Sequence, residues 1–262
     1  MFHVEFFGMP GAGKTTLKNG MIKRLRLKGQ RCLDVEDALL SSLKKSRDDI
    51  ITHFVFRILP DNVGAKFLNS LFIRSRCRFV AQNRFLSYKG TSLEVILKSE
   101  PFRLMSAEAR ELALSRFLRT AIDYQTIKEY IEEAAVVPFD EGFFQRGTSL
   151  FVSASPHRKA LAAESVSPYF NAVPSPDLLI LVEADHGECL KRIEARGQPG
   201  RLNQTKCSSA TWFLAGCQEY VSHALEWAKE SGRPLLRVEN NGLPREVATV
   251  LSDKVFDKLT PE

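Results

Sequence analysis

The chain has 262 residues, 44% of them hydrophobic and 26% charged, an ordinary globular composition with enough length to bury a sizeable core. No apolar run approaches the roughly 18 residues of a membrane span. The opening MFHVEFFG lacks the basic segment and cleavage site of a signal peptide, and Cys32, Cys77, Cys189, Cys207 and Cys217 stand singly, without the paired spacing of a zinc or redox site. A cytoplasmic protein with reduced, structural cysteines is expected. The net charge of +6 suits either nucleic acid or a phosphorylated small substrate.

In chain order, residues 2 to 7 (FHVEFF) read as a buried strand running into glycine. A helix is expected from Lys14 to Lys28, stopped by Gly29, and then a short strand at 31 to 35 (RCLDV). From 38 to 134 the chain reads as helical. Its clearest stripe follows Ser106, where Leu114, Phe117, Ala121, Tyr124, Ile127 and Ile131 recur at spacings of three and four, the mark of a core-facing helix side. A third strand is expected at 135 to 139, ending near Pro138, which has no N–H to offer a ladder. A helix at 155 to 165, a buried strand at 178 to 182 and a helix from His186 to Arg196 come next. A long helix from Ser209 to Ser231, a last strand at 235 to 239 and a helix over 245 to 258, with Pro244 near its start, complete the pattern. Apolar strands alternating with helices imply a parallel sheet covered on both faces.

Gly8-Met9-Pro10-Gly11-Ala12-Gly13-Lys14-Thr15 satisfies G-x-x-x-x-G-K-[ST] between a strand and a helix. A loop that wraps phosphate oxygens has no room for side chains at Gly8 and Gly13, and its backbone N–H groups with the helix N-terminus make an anion nest. The motif assigns Lys14 to the β and γ phosphates, Thr15 to Mg²⁺ and Thr16 to the α phosphate. With glycine at about 7% of residues, chance matches in a chain this long arise roughly once in a hundred sequences. The binding of ATP with Mg²⁺ is therefore the first functional expectation. No N-K-x-D follows, so a GTPase is not expected.

Asp140-Glu141-Gly142 follows the third strand, where a carboxylate would stand beside the loop and help hold Mg²⁺ or take the acceptor's proton. The same Asp-Glu pair also fits an ATPase whose Glu141 orients water. Arg146 is a candidate for gripping the acceptor. Asp34, Glu36 and Asp37 cluster at the end of the second strand, where ligands collect in open α/β sheets; Glu36 and Asp37 are taken as acceptor-side candidates.

The stretch 176 to 202, PDLLILVEADHGECLKRIEARGQPGRL, resembles nucleoside monophosphate kinases, thymidylate kinase in particular. They carry a strand, an acidic turn, a helix ending R-x-x-x-R-G and an arginine-bearing lid. The matching residues are Arg192, Arg196, Gly197 and Arg201, and arginine forks suit charge developing on a transferring phosphoryl group. LLRVENN followed by GLPREV resembles the family's closing segment, which places Asn240 and Asn241 near the nucleotide base. The resemblance covers about half of the chain. Where thymidylate kinases carry D-R-Y this chain has Asp-Glu-Gly, and residues 38 to 134 match neither that family's acceptor region nor the adenylate kinase one.

The resemblance implies a P-loop NTPase fold: a three-layer α/β/α sandwich with a five-stranded parallel sheet of order 2-3-1-4-5. It implies one domain over 1–262, with a helical acceptor-side insertion at about 38–134 and a lid at about 196–208. Residues 57 to 89 hold seven basic residues against one acid, interleaved with aromatic and aliphatic side chains. That segment allows a solvated helix face, a pocket for an anionic acceptor, or a nucleic-acid surface. The leading expectation is a phosphotransferase in which Lys14, Asp140, Arg192, Arg196 and Arg201 do the chemistry on a small hydroxyl-bearing acceptor. An ATPase coupled to a partner protein is the alternative. Nucleic acid and membrane are not expected partners, and a homodimer is left open.

Overall fold

The computed structural model describes residues 1–45, 76–132, 134–152, 160–195, 208–241 and 243–259. Four strands, β1 (Phe2–Gly8), β2 (Val136–Phe139), β3 (Leu178–Glu183) and β4 (Leu235–Glu239), form one parallel sheet in the order β2-β1-β3-β4. Each parallel step needs a helical crossover. α1 (Lys14–Leu27) leaves β1, α8 (His186–Ala195) and α9 (Ser208–Glu230) lie between β3 and β4, and α10 (Pro244–Leu259) closes the chain. Between β1 and β2 lie α2 (Val35–Lys45), α3 (Arg76–Lys98), the short α4 (Glu100–Arg103) and α5 (Ala107–Tyr130). α6 (Phe143–Phe151) and α7 (Ala163–Ala172) connect β2 to β3.

Period-two alternation divides the strands between two cores. Val4, Phe6, Leu178, Ile180 and Val182 face α1 and α10, against Leu17, Met21, Leu251 and Val255. Phe7, Val137, Phe139, Leu179 and Leu181 face the other way, into a larger core with α5, α6, α7 and α9. The fold is therefore an α/β sheet with helices on both faces. The stripe on α5 packs as its spacing predicts: Phe117, Ala121, Tyr124, Ile127 and Ile131 are buried and Leu114 is half-buried. Ser106 caps that helix by accepting the Ala109 N–H at 3.2 Å.

The sheet has four strands rather than the expected five. Residues 31–33 do reach its outer edge, where the Val136 N–H donates to Arg31 O and the Leu33 N–H to Val136 O. Only Cys32 pairs there, in parallel with Val136. The chain then leaves the edge, because Asp34 Oδ1 accepts the Val35 N–H at 2.7 Å and α2 begins. Pro138 explains why nothing is lost. It lies two residues beyond Val136, so its nitrogen faces the same vacated edge, and β2 ends one residue later, at Phe139, close to where it was expected to end. The helix expected at 155 to 165 begins only at Ala163, and residues 153–159 lie outside the described part. Among the described residues no helix is long and apolar enough to cross a membrane, and Cys32, Cys189 and Cys217 are buried thiols.

Candidate functional site

The glycine-rich loop between β1 and α1 owes its shape to neighbours far along the chain. Gly8 has φ 145°, and a Cβ there would stand 2.3 Å from the Val182 carbonyl oxygen of β3. Gly11, at φ 84°, would bring a Cβ to 2.4 Å from the Cys189 carbonyl oxygen of α8. Neither position admits a side chain. Inside the loop, Ala12 N–H donates to Met9 O at 3.1 Å. The Lys14 ammonium folds over the loop and donates to the carbonyls of Gly8 at 3.0 Å and Met9 at 2.9 Å. Burial pulls its pKa down to about 8, because desolvation disfavours the charged form.

Beyond Lys14 the first turn of α1 presents Thr15, whose hydroxyl donates to Asp140 Oδ2 at 2.6 Å. Asp140 follows directly on β2. Its other oxygen accepts from Lys18 Nζ at 3.1 Å, and the same ammonium donates to Asp34 Oδ1 at 2.9 Å. Burial alone would raise the Asp140 carboxyl, but the Thr15 hydroxyl and the Lys18 ammonium outweigh it and hold the pKa below the usual carboxylate value. Lys18 answers in kind: burial lowers it, yet Asp34 and Asp140 together carry it above its ordinary value. An ionised carboxylate beside a hydroxyl is an all-oxygen donor pair. It fits magnesium, which takes one or two protein oxygens and fills its octahedron with phosphates and water.

The rear of the loop is braced by the turn after β4. Asn240 Nδ2 donates to Ala12 O at 2.7 Å, and a Cβ at Gly13 would lie 2.3 Å from that nitrogen. The Arg192 guanidinium donates to Gly11 O and Asn240 O, both at 3.3 Å. Asn241 Oδ1 accepts the Asp185 N–H at 3.2 Å, joining that turn to the head of α8.

A second group of polar side chains gathers around Glu141, the residue after Asp140. Arg146, on α6, donates from Nε to Thr120 Oγ1 at 3.1 Å and pairs with Glu141 at 2.5 Å. On α5, one turn after Thr120, Asp123 lies 3.9 Å from Arg119. Burial raises the Asp123 pKa to about 6, against the pull of Arg119, Arg78 and Arg146. The start of α6 is held from inside the sheet: Glu5, fully buried on β1, accepts the N–H groups of Phe143 at 3.0 Å and Phe144 at 2.8 Å. A carboxylate at a helix N-terminus is the sign of charge that the helix dipole and its unpaired N–H groups favour.

The expected residues thus divide. Gly8 to Thr15 and Asp140 converge on one place, while Arg192 meets the loop from the rear, through Gly11 O and Asn240 O. Thr16 follows on the exposed side of the first turn of α1. Arg146 is engaged by Thr120 and Glu141. Asp37 turns away to pair with Arg26 at 2.8 Å, and Glu36 is exposed on the first turn of α2. Of the three acids in that cluster it is Asp34 that meets the site, through Lys18. Arg196 and Arg201, with nearly all of the expected lid, lie outside the described residues, as do residues 57–75 of the basic segment. Sequence reasoning missed Lys18, Glu5, Gln145 and Asp123. Lys18 follows Lys14 by four residues, one helical turn, and that spacing was a usable signal. Glu5 was visible as a lone acid inside an apolar strand.

No protein-family model matches the chain, and a search of curated proteins also finds no match.

Proposed function

We propose that this protein is a Mg-ATP-dependent phosphotransferase of the P-loop type, acting on a nucleoside, a nucleotide or another small hydroxyl-bearing metabolite. The observation that carries the reading is the 2.6 Å bond between Thr15 Oγ1 and Asp140 Oδ2 at the foot of the positive-φ glycine loop. It joins the hydroxyl that the motif assigns to the metal with a carboxylate from the neighbouring strand. In this reading the loop N–H groups and Lys14 hold the triphosphate, while Thr15 and Asp140 hold Mg²⁺, which neutralises charge on the phosphates. Asp140, kept ionised well into the acid range, suits a metal ligand better than a general base, whose pKa should lie near the working pH. Arg192 holds the loop against the Asn240 turn, on the side where the resemblance puts the nucleotide base. The acceptor hydroxyl forms a new bond to the γ phosphorus, the bond from that phosphorus to the bridging oxygen breaks, ADP leaves, and the hydroxyl proton is released.

Hydrolysis for a partner protein needs Glu141 to orient water beside the γ phosphate. Glu141 is instead paired with Arg146, which favours transfer. The deciding experiment is a phosphorylation screen of a metabolite pool with labelled ATP and Mg²⁺, with Lys14→Ala as the blank. Transfer to one metabolite that Lys14→Ala loses is expected; undiminished transfer by Lys14→Ala contradicts the reading. Rapid ATP consumption without any acceptor, abolished by Glu141→Gln, would replace the transferase by the ATPase.

A further inference from the structure

β1 is paired with β2 only as far as Glu5, which faces Phe139. Along β1, alternate residues turn their backbone polar groups toward β2, as the bond from Phe2 N–H to Ala135 O marks. Gly8 belongs to that set, so its N–H emerges where β2 has already ended. A buried N–H without a partner is costly. Here Gln145 Oε1 accepts it at 3.1 Å. The amide orientation follows from the donor it meets, and Gln145 Nε2 lies 3.4 Å from Thr148 Oγ1.

Gly8 is thereby held from two directions, its N–H by Gln145 and its carbonyl by the Lys14 ammonium. Gln145 sits in the first turn of α6, whose opening N–H groups are fixed by Glu5. β1 therefore grips α6 at Glu5 and is gripped by it at Gly8. The next residue, Arg146, reaches Thr120 and Glu141. Two consecutive side chains of one helix thus touch the loop and the group around Glu141. A shift of α6 is felt at both, since a packed interior transmits displacement.

We propose that Gln145 is a positioning residue: it fixes the Gly8 peptide at the mouth of the loop and makes triphosphate affinity depend on the seating of α6. The proposal rests on the reading of the loop as a triphosphate site. Gln145→Met preserves length and removes the acceptor. Gln145→Glu keeps an acceptor oxygen.

The test uses the full chain, with Mg-ATP as the probe and the Gly8 amide followed by hydrogen exchange. Gln145→Met is expected to fold, to exchange the Gly8 amide at least ~10-fold faster, and to bind Mg-ATP about 3- to 10-fold more weakly, the loss of one hydrogen bond. Gln145→Glu is expected to keep the slow exchange. Wild-type exchange in Gln145→Met overturns the proposal, and so does faster exchange with unchanged Mg-ATP affinity. Should Gln145→Met not fold, Gln145→Glu decides: slow exchange at Gly8 supports the proposal and fast exchange overturns it. Lys14→Ala separates the two levels. Weak Mg-ATP binding with normal Gly8 exchange is expected of it, whereas wild-type Mg-ATP affinity in Lys14→Ala removes the triphosphate reading and the proposal with it.

Discussion

Asp123 and Asp140 are two aspartates on opposite sides of their ordinary pKa, and the difference makes them separable by pH. Burial lifts Asp123 to about 6. A raised pKa means that the folded state binds the proton more tightly, so the associated stability is full below the unfolded value near 4 and is lost as pH rises through 6. Asp123→Asn is therefore expected to be neutral at pH 4 and stabilising at pH 8 by up to ~3 kcal/mol, at 1.36 kcal/mol per pKa unit. Urea unfolding at both pH values measures it, and destabilisation at pH 8 would refute the assignment. Asp140 is depressed, chiefly because Thr15 and Lys18 outweigh its burial. Its contribution is present above the unfolded value and disappears as pH falls through the lower, folded one. Lys18→Met leaves Asp34 and Asp140 without their shared cation. It should cost up to ~3 kcal/mol at pH 7, toward the low end for a pair that is not fully buried, and flatten the acid limb of the stability curve. An unchanged acid limb would mean that Lys18 does not hold Asp140. Neither aspartate's state was legible in the sequence. Asp140 could be placed by its position after an apolar run; the spacing of Lys18 from Lys14 puts it on the same side of α1, but nothing local shows that it pairs with Asp140. Asp123 lies within a stripe whose visible message is packing.

At the scale of elements, α6 shows what local sequence conceals. FFQRGTSLF carries two adjacent phenylalanines and an internal glycine, and it has no side-chain cap at Gly142. Its start is specified by Glu5, 138 residues away in sequence from Phe143. Glu5→Leu should destabilise the protein by about 2–6 kcal/mol, because two buried N–H groups lose their acceptor at ~1–3 kcal/mol each. Hydrogen exchange at Phe143 and Phe144 should accelerate more than at Ala109, which keeps its own cap. Equal acceleration everywhere would reduce the effect to global stability. The long periodic helices, α1, α5, α9 and α10, were legible because each carries its own pattern and stops. The second strand was not, since RCLDV has strand composition while its fate is decided by Asp34 at its end and by Pro138 on the strand it would join.

The order of the sheet depends on the whole molecule, and it was readable only as far as apolar runs alternating with helices imply parallel pairing. The glycine loop was the most legible part of the site, because its residue types follow from close approach alone. Of the site's walls, α8 and the turn after β4 were read only through the resemblance, in Arg192, Asn240 and Asn241, while the close approach of β3 to Gly8 had no local signal. Saturation with Mg-ATP at about 100 times its dissociation constant should add ~2.7 kcal/mol to the stability and raise the melting temperature by about 5–10 °C for a chain of this size. Gly11→Ala, whose Cβ would stand 2.4 Å from Cys189 O and push the loop away from α8, should lose that rise; a full rise in the variant would show that the loop is not the ligand's seat. The bracing of the loop also sets an order in time. Gly8, Gly11 and Gly13 are shaped by Val182, Cys189 and Asn240, which come far later in the chain. A ribosome delivers chain from the N-terminus at ~5–20 residues per second, so the loop emerges well before the residues that give it its shape. A nascent chain stalled short of β4 should already contain the complete motif and still be unable to hold a nucleotide.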